Sequence, residues 1–157
     1  MPREAGREPW LVRALPPARA LQAYPVIREA VPEASAAAWR CYSRAFLRRT
    51  ARNAWPAGIL AAESADGYIL GLLTYEIRPL LSGGRCLRVD QVAVPDLLAR
   101  TAILEDLVDA LVALARRSGC AAMDLGSAAL SEAMAPRLSG AVPARLDRRW
   151  IIGLQPG

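Results

Sequence analysis

The chain has 157 residues, 54% of them hydrophobic, 22% charged and 6% aromatic. That suits one domain with a substantial core and excludes wholesale disorder. The charge sum is +5 and comes entirely from arginine: the sequence contains neither lysine nor histidine. Without histidine there can be no Ser-His or Cys-His nucleophile pair and no imidazole zinc site, and the usual general base at neutral pH is missing. Cys41, Cys86 and Cys120 are odd in number, far apart and free of any CxxC spacing. This argues against a disulfide framework or structural zinc and points to a reducing cytoplasm. No uninterrupted apolar run approaches the ~18 residues that a membrane-spanning helix needs.

Residues 1–9 carry acids and proline where a signal peptide would be apolar, and are expected to be a disordered lead-in to a domain over 10–157. Residues 10–15 form a short extended candidate stopped by Pro16-Pro17. Apolar positions at Ala18, Leu21, Tyr24, Ile27 and Val31 predict a helix, kinked or split at Pro25. A second helix is predicted over 33–52, with Ala37, Cys41, Ala45 and Phe46 as its apolar stripe and arginines on its other faces. Trp55-Pro56 closes it.

The period then changes. Residues 58–63, 68–78 and 85–94 read as three strands joined by an Asp66-Gly67 turn and a turn over 81–84, an antiparallel meander. After Pro95 the helical period returns. Ile103, Leu107, Leu111 and Leu114, flanked by Leu104, Val108 and Val112, make an apolar face wide enough to pack on a sheet. Ser118-Gly119 ends this helix with a left-handed cap. A buried strand over 121–125, a short helix over 128–138 and a strand over 145–154 complete a mixed, mostly antiparallel α/β sheet flanked by helices.

This element order, with GYILGLLTYEI followed by RCLRVDQVAVPDLLARTAILEDLVDALVALARRSGCAAMDL, resembles the GCN5-related N-acetyltransferase family. The likeness of element order spans residues 10–154, and the likeness of residues about 67–126. It implies a single-domain acyl-CoA N-acyltransferase-like fold and transfer of an acetyl group from acetyl-CoA to an amine. In that family a loop of the form Arg/Gln-x-x-Gly-x-Gly/Ala cradles the pyrophosphate at a helix N-terminus, where backbone N–H groups and the helix dipole favour negative charge. Here Ala99, Arg100, Thr101, Ala102, Ile103 and Leu104 stand in its place. The loop is degenerate: Ala99 replaces the leading cation, Ala102 is a stand-in for glycine, and Leu104 must either clash with a phosphate or turn into the core. Arg100 is the cation in reach. The resemblance further implies that backbone groups of Val92 and Val94 hold the pantetheine.

Transfer requires the amine to lose a proton, which a carboxylate can accept directly or through water. Asp90 is the first candidate and Glu76 the second. Simple alternation puts Arg88, Asp90 and Val92 on one face, so an Arg88–Asp90 ion pair is the structural rival. The family's tyrosine acid from the last helix is absent, its position being Pro136; Ser127 and Ser131 are the available hydroxyls. Cys86 and Cys120 read as buried small hydrophobes. Trp39, Tyr42 and Phe46 beside Arg44, Arg48, Arg49 and Arg52 are either core or an acceptor wall.

Three functions remain open at this point. The first is an acetyl-CoA-dependent N-acetyltransferase acting on a small-molecule amine or a protein amino group, possible as a homodimer. The second is a decayed member of the same fold that serves as a binding or dimerisation module. The third is an arginine-driven nucleic-acid-binding domain, whose affinity would fall steeply with salt.

Overall fold

The computed structural model describes residues 10–52, 56–95, 99–126, 143–146 and 149–153. The expected lead-in over 1–9, the helix over 128–138, Trp55, Ser127, Ser131 and Pro136 lie outside them. Strand β1 (Trp10–Ala14) leads through a 3-10 segment (Pro17–Ala23) into helix α1 (Tyr24–Ala30), and helix α2 (Ala36–Arg52) follows. The split falls where Pro25 requires it: proline is tolerated in a helix's first turn, so the α-helix starts around it instead of running through it. Ser35 Oγ accepts from the N–H of Ala38 at 3.0 Å, which sets the start of α2.

The meander consists of β2 (Ala57–Ser64), β3 (Ile69–Pro79) and β4 (Arg85–Ala93), and the long helix is α3 (Arg100–Arg117). Strand β5 (Ala122–Asp124) lies parallel to β4, and every other pairing in the sheet is antiparallel. The single strand expected over 145–154 is two strands, β6 (Pro143–Leu146) and β7 (Arg149–Gly153), paired as a hairpin. An alternating pattern alone cannot tell one strand from two that double back. The seven strands run in the order β1-β2-β3-β4-β5-β7-β6.

Two apolar layers cover the sheet's two faces. Under α3, Ile103, Leu107, Val108, Leu111 and Ala115 meet Leu73, Tyr75, Ile77, Leu87 and Val89. Leu107 and Leu111 have no exposed surface, so truncating either to alanine costs roughly 2–5 kcal/mol. The helix ends as expected, with Gly119 at φ +66°, a conformation that side chains disfavour. On the other face, Ile59, Ala61, Leu72 and Ala93 meet Ala23, Val26, Ile27 and Trp39.

The expected stripe of α2 is corrected here. Ala37, Cys41 and Ala45 are exposed, and the buried positions are Trp39, Ser43 and Phe46. Volume explains this: a tryptophan and a phenylalanine gain far more by burial than alanines do. Trp39 also keeps its indole N–H satisfied, donating to the carbonyl of Ala20 at 2.8 Å. Cys86 and Cys120 are buried as expected.

Candidate functional site at the β4 bulge

Leu73 pairs with Val92, but Tyr75 pairs with Val89. One residue of β3, Thr74, is therefore opposite two of β4, Asp90 and Gln91: a β-bulge. The bulge resets the alternation. Val92, expected beside Arg88 and Asp90, instead packs against the α3 layer with Val89, and Ala93 turns to the α1–α2 layer.

The residue pattern of β3 prepares the same place. Leu72, Thr74, Glu76 and Arg78 alternate with the core residues Leu73, Tyr75 and Ile77, so the polar ones share the α2 face. There Glu76, Arg78, Arg88 and Asp90 meet Tyr42, Ala45 and Phe46 of α2 around a cavity of about 310 Å³. Tyr42 is stacked between Trp39 and Phe46, with ring centroids 5.7 and 5.6 Å apart, which fixes its hydroxyl against the sheet.

A hydrogen-bond chain runs through the bulge. The N–H of Gln91 donates to Thr74 Oγ1 at 3.0 Å, and Tyr42 Oη donates to Asp90 Oδ2 at 2.5 Å. Tyr42 has one proton, and it is spent on Asp90. The 3.1 Å contact between Tyr42 Oη and Thr74 Oγ1 is therefore donated by Thr74. Each donor polarises the next, and the chain ends on the carboxylate. Burial, together with the bond to Asp90, pushes the Tyr42 phenol well above its ordinary value, so it stays a donor throughout the working pH range.

The rival ion pair is not formed: among the described residues Arg88 reaches Glu76 and not Asp90. Glu76 accepts from Arg78 Nη2 at 2.6 Å, with Arg88 Nη1 more distant at 3.9 Å. Asp90 itself is exposed, whereas Glu76 is 9% exposed and committed to arginines. Tyr42 also lines a second, apolar cavity of about 170 Å³ with Ile27, Val31, Trp39 and Gln91.

The bulge lies beside a gap in the sheet. Parallel pairing between β4 and β5 ends at Arg88 and Asp124, so beyond it the β5-facing edge of β4 has no strand partner among the described residues. Val94 ends this stretch, buried against the α3 layer. Gly71 lets the first turn of α3 close on it, since a Cβ there would stand 3.0 Å from Ile103 Cγ2 and 3.1 Å from Val94 Cγ2. That turn starts at Ala99, with no side-chain cap on its amides and no acid among its residues. Arg100 and Thr101 are exposed and Ala102 is half-buried. Leu104 packs against the core, the second of the two outcomes open to it.

Thr74 and Arg78 escaped the sequence reading. Their alternation with Leu73, Tyr75 and Ile77 was a usable signal: Thr74 is a polar residue buried within the strand, which needs a reason, and Arg78 follows on the same face at its exposed end. Tyr42 was visible as an aromatic on α2, but its bond to Asp90 depends on the bulge, which no local pattern announces.

A mixed sheet that opens between its parallel fourth and fifth strands, with a bulge before the opening and an uncapped helix after it, defines the acyl-CoA N-acyltransferase fold. Solved structures carry the same architecture. A GNAT-family acetyltransferase from Brucella melitensis in complex with acetyl-CoA is 18% identical, covering 96% of this chain and 91% of that one, at a TM-score of 0.65. The putative acetyltransferase yncA of Salmonella typhimurium, with its cofactor acetyl-CoA, is 14% identical, covering 94% of each chain, at 0.66. A chain of the NatC complex bound to Gag peptide and CoA is 14% identical, covering 93% of this chain and 99% of that one, at 0.66. No protein-family model and no curated protein sequence matches the chain. The chain thus has the fold of the GCN5-related N-acetyltransferases.

Proposed function

We propose that this protein is an acetyl-CoA-dependent N-acetyltransferase and that Asp90 accepts the proton of the acceptor amine. The observation that carries the proposal is the exposed Asp90 carboxylate, held by Tyr42 at the rim of a cavity beside the gap between β4 and β5. Neighbours of this fold with acetyl-CoA or CoA bound support the donor.

The residues fit that co-substrate. The backbone of Val92, on the edge of β4 that has no strand partner among the described residues, and of Val94 just past the strand's end would hold the pantetheine. The uncapped N–H groups over Ala99–Ala102 and the Arg100 guanidinium would hold the pyrophosphate. Leu104 packs against the core, which supports room for a phosphate at this turn.

When bound, the thioester supplies an acyl group activated for attack by an amine. The amine nitrogen forms the new C–N bond, the C–S bond breaks, Asp90 takes the amine proton, and the thiolate is protonated from solvent. Tyr42 is a positioning residue: its hydrogen bond fixes one carboxylate oxygen and leaves the other for the amine. Glu76, the other candidate base, would instead hold Arg78 and Arg88 in place. No described helix is long and apolar enough to cross a membrane, and the free cysteines support a cytoplasmic setting.

Calorimetric titration with acetyl-CoA at two salt concentrations, with desulfo-coenzyme A as control, tests the proposal. Micromolar binding with mild salt dependence is expected. No heat and no thermal shift at millimolar ligand would overturn it in favour of a non-catalytic module, and steep salt dependence with nucleic acid alone would favour the arginine-driven alternative.

A further inference from the structure

The cavity beside Asp90 has a second half that proton transfer does not use. Glu76 is a single carboxylate shared by two guanidiniums. Arg78 has the short contact. Arg88 has only the 3.9 Å one, and its Nε is buried with no hydrogen-bond partner among the described residues. The Nε is itself closed to a ligand, but the side chain keeps 28% of its surface exposed, and the outer nitrogens of a guanidinium match a carboxylate or phosphate edge. Arg88 and Asp90 are two residues apart on β4, about 7 Å along an extended strand. The cavity thus offers a carboxylate for an ammonium and, a few bonds away, an under-used guanidinium for an anion. Among the described residues the apolar cavity past Tyr42 has no charged lining with which to sort acceptors by charge.

Resting on the acetyltransferase reading, we propose that the acceptor is a zwitterionic small molecule: an amine whose own skeleton carries a carboxylate or phosphate, the amine at Asp90 and the anion at Arg88 with Arg78 beside it. Plain alkylamines leave Arg88 unanswered, and polycationic amines meet its charge. The anion fixes the amine's orientation before the proton leaves it, and discrimination appears in kcat/KM.

The test first titrates the protein with acetyl-CoA. It then measures coenzyme A release at saturating acetyl-CoA with glycine, β-alanine and γ-aminobutyrate, their carboxamides, aminoethyl and aminopropyl phosphate, and alkylamines of matched length. At least one zwitterion should exceed its uncharged counterpart tenfold or more in kcat/KM. The carboxylate and phosphate arms tell which anion is preferred. Arg88→Met, checked for an unchanged unfolding transition, should collapse that ratio toward one; the wild-type panel decides the question if the variant does not fold. Amides or alkylamines performing as well as the acids would overturn the proposal, as would no turnover of any zwitterion with acetyl-CoA bound. If acetyl-CoA itself fails to bind, the acetyltransferase reading falls separately. In that case, calorimetric binding of γ-aminobutyrate or aminoethyl phosphate that is lost in Arg88→Met upholds the zwitterion site, and its absence overturns it.

Discussion

Two regions of this molecule place one glutamate between two arginines, and they differ in how completely the partners satisfy one another. Glu63, 3% exposed, receives Arg19 Nη1 at 2.7 Å and Arg13 Nε at 3.6 Å. The other arms of Arg19 are also occupied, Nε by Gln22 Oε1 at 2.9 Å and Nη2 by the Gly67 carbonyl at 3.2 Å. That cluster ties the 3-10 segment to the turn after β2 and occupies all three nitrogens of the Arg19 guanidinium. Glu76 has the same two partners in kind, yet Arg88 stands off at 3.9 Å, its Nε has no partner among the described residues, and a cavity opens beside it. Residue types alone would have ranked the two clusters equally. Saturation separates a brace from a site.

The largest expected effect is on the open side. Asp90→Asn keeps an acceptor for Tyr42 but removes the base, and kcat should fall about a hundredfold or more, the lower end of what general-base catalysis supplies. Thermal unfolding should hardly move; a loss of stability without a rate effect would make Asp90 structural. On the closed side the expectation reverses. Arg19→Met leaves Glu63 buried with only the longer Arg13 contact and should cost about 2–3 kcal/mol in denaturant unfolding, discounted from the 3–5 of a fully buried pair because Arg19 is partly exposed. Affinity for acetyl-CoA should stay unchanged in that variant. A smaller effect is expected at the other end of the gap. Arg100→Ala should weaken acetyl-CoA about three- to tenfold, in line with one exposed cation at a phosphate, and unchanged affinity would remove Arg100 from the site.

Element order was legible in the sequence because each element is written in a local period. The three strands of the meander, the wide face of α3, the Gly119 stop and the split at Pro25 all lie within a residue or two of their expected places. Failures came where packing chose among locally equal options. On α2 the alanine–cysteine stripe and the aromatic stripe have the same period, and only the sheet's need for volume decides between them. At Asp90 and Gln91 the alternation is broken by one extra residue that a single strand cannot reveal, since a bulge exists only relative to its partner. The site suffered more than the fold for that reason. Asp90 and Glu76 were found from their chemistry, but Tyr42, Thr74 and Arg78 join them only through the bulge and the α2 packing.

The finest test of the open cluster is made at alkaline pH, where this composition is favourable. The chain has no lysine, and its arginines stay charged, so only tyrosines and cysteines titrate between about pH 9 and 11. Burial and the bond to Asp90 raise the folded-state value of Tyr42 above 10, and burial raises Tyr75 and Cys120 in the same direction. As pH climbs past 10 the unfolded chain releases the Tyr42 proton while the folded one retains it. The unfolded state then binds fewer protons, and stability falls with pH. Tyr42→Phe removes this contribution and leaves those of Tyr75 and Cys120, so the decline of Tm between pH 9.5 and 11 should become shallower. At neutral pH the same variant should lose about 1 kcal/mol of stability for the missing hydrogen bond, with kcat lowered and the KM for acetyl-CoA unmoved. An identical alkaline slope in both proteins would place the Tyr42 hydroxyl in water, and Asp90 would lose the anchor that distinguishes it from any exposed carboxylate.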